Sequence, residues 1–263
     1  MRTGRWLLIG CLCLGAAGAA GCNGRLTPEA ERLLSDGIAA YKGGDDARAV
    51  RSMDLFLRDH AASKRADEAY YYRGLAKYRS KNLAGAKADF QQALDRTREE
   101  AIRVGAKVAL GDLAYDTGDM AAAEKAYMDA LKDIERGEPP SDHVHYRLGR
   151  ALQRQGRWRE ADSHFDLVVF LFEGTELARR SLRYVRSNAW TIQAGAFEDA
   201  SRAGAVVAKL ETTGLAARRQ PTLRGEKLLF VVNVGRYETY PQAEADLQKV
   251  RRHYPDAFLT TTR

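Results

Sequence analysis

The stretch that decides the fold of the C-terminal part reads Trp190-Thr-Ile-Gln-Ala-Gly-Ala-Phe197, and its pattern returns as Val231-Val-Asn-Val-Gly-Arg-Tyr237. An amphipathic helix with apolar residues at i, i+4 and i+7 is predicted after each copy. The two apolar triplets are Ala203, Val207 and Leu210, and Ala243, Leu247 and Val250. Short β-type runs at 215–222 and 257–261 complete the pattern. Residues 189–263 therefore predict a small α+β domain of order βαββαβ, with both helices on one face of a four-stranded sheet.

The paired motifs of this region resemble those of the SPOR (sporulation-related repeat) domain. The first motif is Ile192-Gln193-Ala194-Gly195-Ala196-Phe197, and the second is Val234-Gly235-Arg236-Tyr237. The resemblance covers the whole of 189–263. It implies non-catalytic binding to septal peptidoglycan, at glycan strands stripped of their stem peptides, and it implies that Gln193 faces the ligand.

Alternation along strands predicts which side chains face a ligand. Thr191 and Gln193 of the first strand, and Leu229, Val231 and Asn233 of the third, are expected on the face without helices. With a sheet order of 4-1-3-2, the amides of Gln193 and Asn233 converge and can donate to and accept from sugar hydroxyl and N-acetyl groups. Leu229 and Val231 are the expected apolar bed for a sugar ring.

One departure from the SPOR pattern concerns the third strand. The family frequently carries arginine where this chain has Val231 and Asn233, so Arg218, Arg219 and Arg236 are the candidates to replace that polarity. Weaker glycan binding, or a merely solvated Gln193, are the alternatives. An RNA-recognition motif shares the βαββαβ order, but its third strand needs a basic residue and stacking aromatics. Leu228-Leu-Phe-Val-Val-Asn-Val234 has no basic residue.

Before this domain, small and large residues recur with a period of 37 or 38 residues. Each repeat has a glycine, an alanine twelve residues later and a large side chain four residues beyond that. The glycines are Gly37, Gly74, Gly111 and Gly149, the alanines are Ala49, Ala86, Ala123 and Ala161, and the large residues are Met53, Phe90, Tyr127 and Phe165. This period predicts a solenoid of helical hairpins, and the pattern resembles the tetratricopeptide repeat (TPR). Residues 30–187 are interpreted as four TPR-like repeats with a capping helix at 176–185.

Tyrosines at related positions of the inner helices are candidates for binding a protein or peptide partner in the groove of the array. They are Tyr41, Tyr71, Tyr78, Tyr115 and Tyr146. The alternative is that these rings pack between helices and expose only their hydroxyls.

The N-terminus has the pattern of an export signal. A charged start is followed by an apolar, Gly/Ala-rich stretch that ends Ala19-Ala20-Gly21-Cys22. It resembles a bacterial lipobox, although Ala19 replaces the usual leucine. We expect residues 1–21 to be a signal peptide, Cys22 to carry lipid, and 22–29 to be the anchored linker. The three cysteines all lie in the first 22 residues, so cleavage leaves no internal disulfide. An uncleaved anchor and a soluble secreted protein are the alternatives.

The remaining composition indicates no catalytic chemistry. The net charge of +7 includes +3 from residues 1–25 and +3 from residues 189–263, so the repeats are nearly neutral and no nucleic-acid partner is needed. His143 and His145 point in different directions on a helix, which is unsuitable for one metal. We expect no enzyme activity, cofactor or metal.

The sequence therefore predicts a cell-envelope lipoprotein, facing the periplasm at the outer rather than the inner membrane. It binds peptidoglycan and a protein partner, in cell division or wall remodelling. The alternative hypothesis is a repeat scaffold for envelope or outer-membrane protein assembly, in which the C-terminal domain serves only for localisation.

Overall fold

The computed structural model describes residues 26–262, and it confirms a helical array followed by a small α+β domain. The signal-peptide and Cys22 interpretations concern residues outside this range. The array consists of α1 (Pro28–Lys42), α2 (Asp46–His60), α3 (Ala66–Arg79), α4 (Leu83–Arg96), α5 (Glu100–Asp116), α6 (Met120–Ala130), α7 (Ser141–Arg154), α8 (Trp158–Leu171) and α9 (Glu176–Tyr184). The C-terminal domain consists of β1 (Ala189–Phe197), α10 (Ala200–Glu211), β2 (Ala217–Arg224), β3 (Lys227–Tyr237), α11 (Tyr240–Arg251) and β4 (Phe258–Thr262).

Close packing inside each hairpin of the array explains the repeated small and large residues. The four repeat alanines and the four large side chains are completely buried. Each large side chain lies over the glycine of its own hairpin, and a Cβ on that glycine would meet it at 2.5–2.8 Å. The large side chains therefore fill the space between the two helices of each hairpin. The glycines are needed because a Cβ at these positions would overlap the large side chains.

In every hairpin, a residue with left-handed backbone angles lies in the turn that follows the first helix. Gly44, Gly118 and Gly156 have φ values of +88°, +87° and +79°, and Lys81 adopts +66° at the equivalent position of the second repeat. Glycine adopts this conformation without steric cost. In Lys81 the Cβ makes the same conformation unfavourable. The next residue caps the following helix in the first three repeats: the side chains of Asp45, Asn82 and Asp119 each accept a backbone N–H.

The sheet of the C-terminal domain has the order β2-β3-β1-β4 and is antiparallel throughout. This is the expected order, with β1 and β3 as central neighbours. Helices α10 and α11 cover one face, where Ile192, Leu210, Val232 and Val234 are buried in a common core. The other face carries no helix of this domain.

A packed junction joins the array to this domain. The side chain of Trp190 is 1% exposed, and its Nε1 donates to the carbonyl oxygen of Gln153 at 3.1 Å. Its ring lies 5.7 Å from Trp158 and 5.2 Å from Tyr240. The Nε1 of Trp158 donates to the carbonyl oxygen of Glu238 at 3.2 Å. Aromatic packing with satisfied indole donors holds the two units together.

We expect Gly111→Ala to lower the free energy of unfolding by about 1–2 kcal/mol. Overpacking costs about 1–3 kcal/mol, and the better helix propensity of alanine offsets up to about 1 kcal/mol of that. The new Cβ would lie 2.5 Å from the Tyr127 ring, and that ring is held because its hydroxyl donates to Asp112 at 2.6 Å. Denaturant unfolding followed by circular dichroism measures the change. Gly204→Ala is the control, since its Cβ would meet only Arg219 at 3.7 Å. Equal stability of the two variants would contradict the packing argument.

We expect Trp158→Ala to uncouple the two units and to speed tryptic cleavage after Arg186 about tenfold, because local opening then costs less. Limited proteolysis of the full chain measures this rate. Phe170→Ala is the matched control: it removes an aromatic ring from the same helix, but at a position that is 81% exposed. Cleavage of Trp158→Ala at the wild-type rate would show that the junction does not hold the units together.

Candidate functional site

A groove crosses the face of the sheet that α10 and α11 leave open. Its volume is about 380 Å³. It is lined by Arg183, Ser187, Thr191, Gln193, Gln220, Thr222, Arg224, Val231, Asn233, Thr260, Thr261 and Thr262. We call it the sheet groove. All four strands contribute to it, and so does the last helix of the array through Arg183.

The duplicated Gly-x-aromatic motif shapes this sheet locally. The register of β1 shifts between Gln193 and Gly195. A Cβ on Gly195 would lie 2.7 Å from the Phe197 ring, and a Cβ on Gly235 would likewise clash with Tyr237. Each aromatic ring therefore covers the glycine two residues before it. The shift returns Phe197 to the helix-covered face and leaves Gln193 on the open face.

Gln193 and Asn233 lie directly opposite each other on β1 and β3, as predicted. The amide oxygen of Gln193 accepts a long hydrogen bond of 3.4 Å from Nη2 of Arg224. Gln193 is 9% exposed, so it lies at the bottom of the groove. The two amides offer donors and acceptors side by side at one point of the groove.

Thr191 and Val231 also line the groove, but they expose little surface to a ligand. Thr191 is 2% exposed, and its hydroxyl lies 3.1 Å and 2.9 Å from the carbonyl oxygens of Val234 and Gly235. The hydroxyl therefore ties the two central strands together. Val231 is 5% exposed, so the apolar bed expected from it is small.

Four predicted residues do not line the groove, and Arg218 of β2 is one of them. Arg219 lies on the helix-covered face, where its Nη1 donates to the carbonyl oxygen of Ala200 at 2.6 Å. Its choice as a groove residue was wrong because the mixed polarity of β2 does not reveal the phase of that strand. Arg236 is held by Asn188 at 2.8 Å, outside the groove. Leu229 shares the open face by alternation but does not line the groove.

Sequence reasoning missed Arg183, Arg224 and the threonines of β4. It also missed Phe258 of β4, which lies opposite Gln193 of β1 and is 46% exposed. The polar run Thr260-Thr-Thr262 was the available signal, because threonines that alternate onto an open face offer hydroxyls to a ligand. Arg183 had no such signal, since it belongs to another domain in the sequence.

The groove is suited to a neutral or anionic polyhydroxylated ligand. Its lining consists of hydroxyl, amide and guanidinium side chains with one valine, and none of these described residues is acidic. Groups of this kind bind sugars through paired donors and acceptors. The two arginines make the local potential positive.

The candidate tyrosines of the array make extensive contacts with other side chains of the array. Arg79 lies 4.4 Å over the ring of Tyr41, and the hydroxyl of Tyr78 donates to Asp116 at 2.6 Å. Tyr115 is buried under the guanidinium groups of Arg147 and Arg154, at 4.7 and 4.5 Å. Tyr146 packs 6.2 Å from Phe165 and 6.3 Å from Tyr184. These positions place Tyr78, Tyr115 and Tyr146 between helices, as the alternative interpretation expects.

Tyr71 differs from the others because it lines a cavity of about 600 Å³ between α3, α5 and the segment before α7. Burial raises the pKa of its hydroxyl to about 12, so it stays protonated at neutral pH. Its lining includes the apolar residues Val104, Ile134, Pro139 and Pro140 and the acidic residues Glu100, Asp133, Glu135 and Glu138. This cavity combines apolar surface with negative charge.

The two histidines of α7 contact different side chains. His143 lies 3.0 Å from Asp112, and Nδ1 of His145 lies 2.9 Å from Nδ1 of His164. Burial and the neighbouring His164 lower the pKa of His145 to about 4, so this pair is neutral at physiological pH. Within residues 26–262, no group of three or more histidine, cysteine or acidic residues is arranged to hold a metal. In the same range, every helix is too short or too polar to cross a bilayer.

Comparisons with known families agree with this architecture. The SPOR domain model matches residues 187–261, and the tetratricopeptide repeat model matches residues 104–132, which cover most of α5 and α6. Among curated proteins, none matches this sequence.

Two solved structures show the same fold at low identity. A tetratricopeptide repeat protein from Parabacteroides merdae superimposes with a TM-score of 0.52 at 18% identity, over 60% of this chain and 59% of that protein. Pseudomonas aeruginosa pilF superimposes with a TM-score of 0.50 at 14% identity, over 86% of this chain and 77% of that protein. Residues 187–261 of this chain are thus a SPOR domain, and the helices before it form a tetratricopeptide-repeat array.

Proposed function

We propose that this protein is a cell-envelope lipoprotein that binds septal peptidoglycan, at glycan strands stripped of their stem peptides. The strand lies in the sheet groove, and the repeat array binds a protein partner during cell division or wall remodelling. SPOR domains bind peptidoglycan and tetratricopeptide repeats bind proteins, so both units are binding modules. The protein acts by holding its partners together rather than by catalysis.

The opposed amides of Gln193 and Asn233 carry the glycan proposal. They lie in a groove that has no acidic side chain among its lining residues. Most of its other lining residues are serine and threonine, which offer hydroxyl groups. A glycan strand offers alternating hydroxyl and N-acetyl groups, which match such donors and acceptors. Phe258, exposed beside Gln193, supplies a face on which a sugar ring can pack.

The proposed place for the protein partner is the cavity beside Tyr71. Its apolar and acidic lining residues favour a segment that carries both aliphatic and basic side chains. The other tyrosines are already engaged by neighbouring repeats, so they support the shape of the array more than they offer contacts.

The proposed anchor is a lipid on Cys22. Helix α1 begins at Pro28, so only a short linker separates the anchor from the array. Such a linker reaches at most about 20 Å. The array then lies close to the membrane, on the periplasmic side, and the sheet groove lies beside α9, the last helix of the array. The outer membrane is the proposed location.

We expect Gln193→Ala and Asn233→Ala each to weaken binding to amidase-treated sacculi about tenfold. Each change removes hydrogen bonds made inside the groove, and a tenfold loss corresponds to about 1.4 kcal/mol. Co-sedimentation of the full chain with sacculi measures the apparent dissociation constant.

The control for these variants is Gln248→Ala, which removes an exposed amide from α11 on the opposite side of the sheet. It is expected to bind as the wild type does. Untreated sacculi, whose strands keep their stem peptides, serve as the second control. Equal binding to treated and untreated sacculi, or full binding by Gln193→Ala, would refute the glycan proposal.

A further inference from the structure

We propose that Arg183 of the repeat array and Arg224 of β2 recognise carboxylate groups on the bound strand, which rests on the glycan function proposed above. The last helix of the array is then part of the ligand site. The SPOR domain alone would lack one of its two cationic contacts.

Arg183 has donors available for such a ligand. It lines the sheet groove next to Ser187, and its side chain is 69% exposed. Its nearest carboxylate is that of Glu176, at 3.9 Å. Two other arginines, Arg179 and Arg180, lie closer to Glu176, at 3.0 and 3.2 Å. The guanidinium of Arg183 therefore keeps most of its five N–H donors for the groove.

Arg224, which lies at another part of the groove, also has N–H donors available for a ligand. Its Nη2 donates a long hydrogen bond of 3.4 Å to Gln193. Within residues 26–262, no carboxylate lies within ion-pair distance of it. Its remaining donors can meet an anion that arrives beside the amide of Gln193.

The backbone that carries Arg183 is held in place by contacts of the residues that follow it. The backbone N–H of Arg186 donates to Asp162 of α8 at 2.9 Å. The hydroxyl of Ser187 donates to that of Thr261 on β4 at 2.9 Å. The junction around Trp190 holds α7 and α8 against the domain. Preorganisation of this kind reduces the entropy lost when a ligand binds.

The chemistry of the ligand explains why arginines are useful here. In intact peptidoglycan the stem peptide is joined to the muramic acid through an amide bond. Hydrolysis of that bond adds water and leaves a free carboxylate on the sugar, which is ionised at neutral pH. A stripped strand therefore gains one negative charge at each muramic acid. Arginine binds a carboxylate through two parallel hydrogen bonds, so it can distinguish the stripped strand from the intact one.

The test uses the full chain with Arg183→Gln and Arg224→Gln, and glycan strands released from amidase-treated sacculi. Half of the strands are kept as carboxylates, and half are converted to methylamides. We expect each variant to bind the carboxylate strands about three- to tenfold more weakly than the wild type, as for loss of a charge-assisted contact. On the methylamide strands, wild type and variants are expected to bind equally.

Arg159→Gln is the matched control, because it removes the same charge from an exposed position of the neighbouring helix α8, outside the groove. It is expected to bind both ligands as the wild type does. Full binding of carboxylate strands by Arg183→Gln, or an equal loss on both ligands, would overturn the assignment of Arg183 while leaving glycan binding intact. Failure of the wild type to bind either ligand would instead refute the proposed function.

Discussion

The contact between Trp190 and the carbonyl oxygen of Gln153 joins the two halves of this molecule. Trp190 is the second residue of β1 in the SPOR domain, and Gln153 lies in the last turn of α7 with 0% exposure. A buried indole needs a partner for its N–H, and here the partner belongs to the other unit. The amide of Gln153 in turn donates to the carbonyl oxygen of Tyr184 in α9 at 3.3 Å. One buried glutamine thus links α7, α9 and β1, and the position of α9 beside the sheet groove depends on it.

Local periodicity was enough to predict much of the fold. Alternation along β1 and β3 placed Gln193 and Asn233 on the open face, because the phase of each strand is fixed by buried neighbours such as Ile192 and Val234. In the array, the spacing of glycine, alanine and a large residue predicted the hairpins. The same pattern could not reveal that Phe90 or Tyr127 lies over the glycine of its own hairpin.

The remaining parts of the site depend on contacts between distant segments. Arg219 was misplaced because β2 has no apolar alternation to fix its phase, and Arg224 depends on the register of the β2–β3 hairpin. Arg183 reaches the groove only through the packing of two domains. The contacts of the tyrosines also come from distant segments. The partners of Tyr41 and Tyr78 lie 38 residues later, so the sequence of a single repeat does not show whether a ring is free.

The contribution of α9 to the groove also limits how this SPOR domain can be used elsewhere. Fused to another protein, residues 187–262 would retain Gln193 and Asn233, but the end of the groove formed by Arg183 would be missing. The indole of Trp190 would also lose its acceptor and face water. The boundary of the folded unit and the boundary of the binding unit therefore differ in this protein. The smallest portable version of the site begins within the array, before α7.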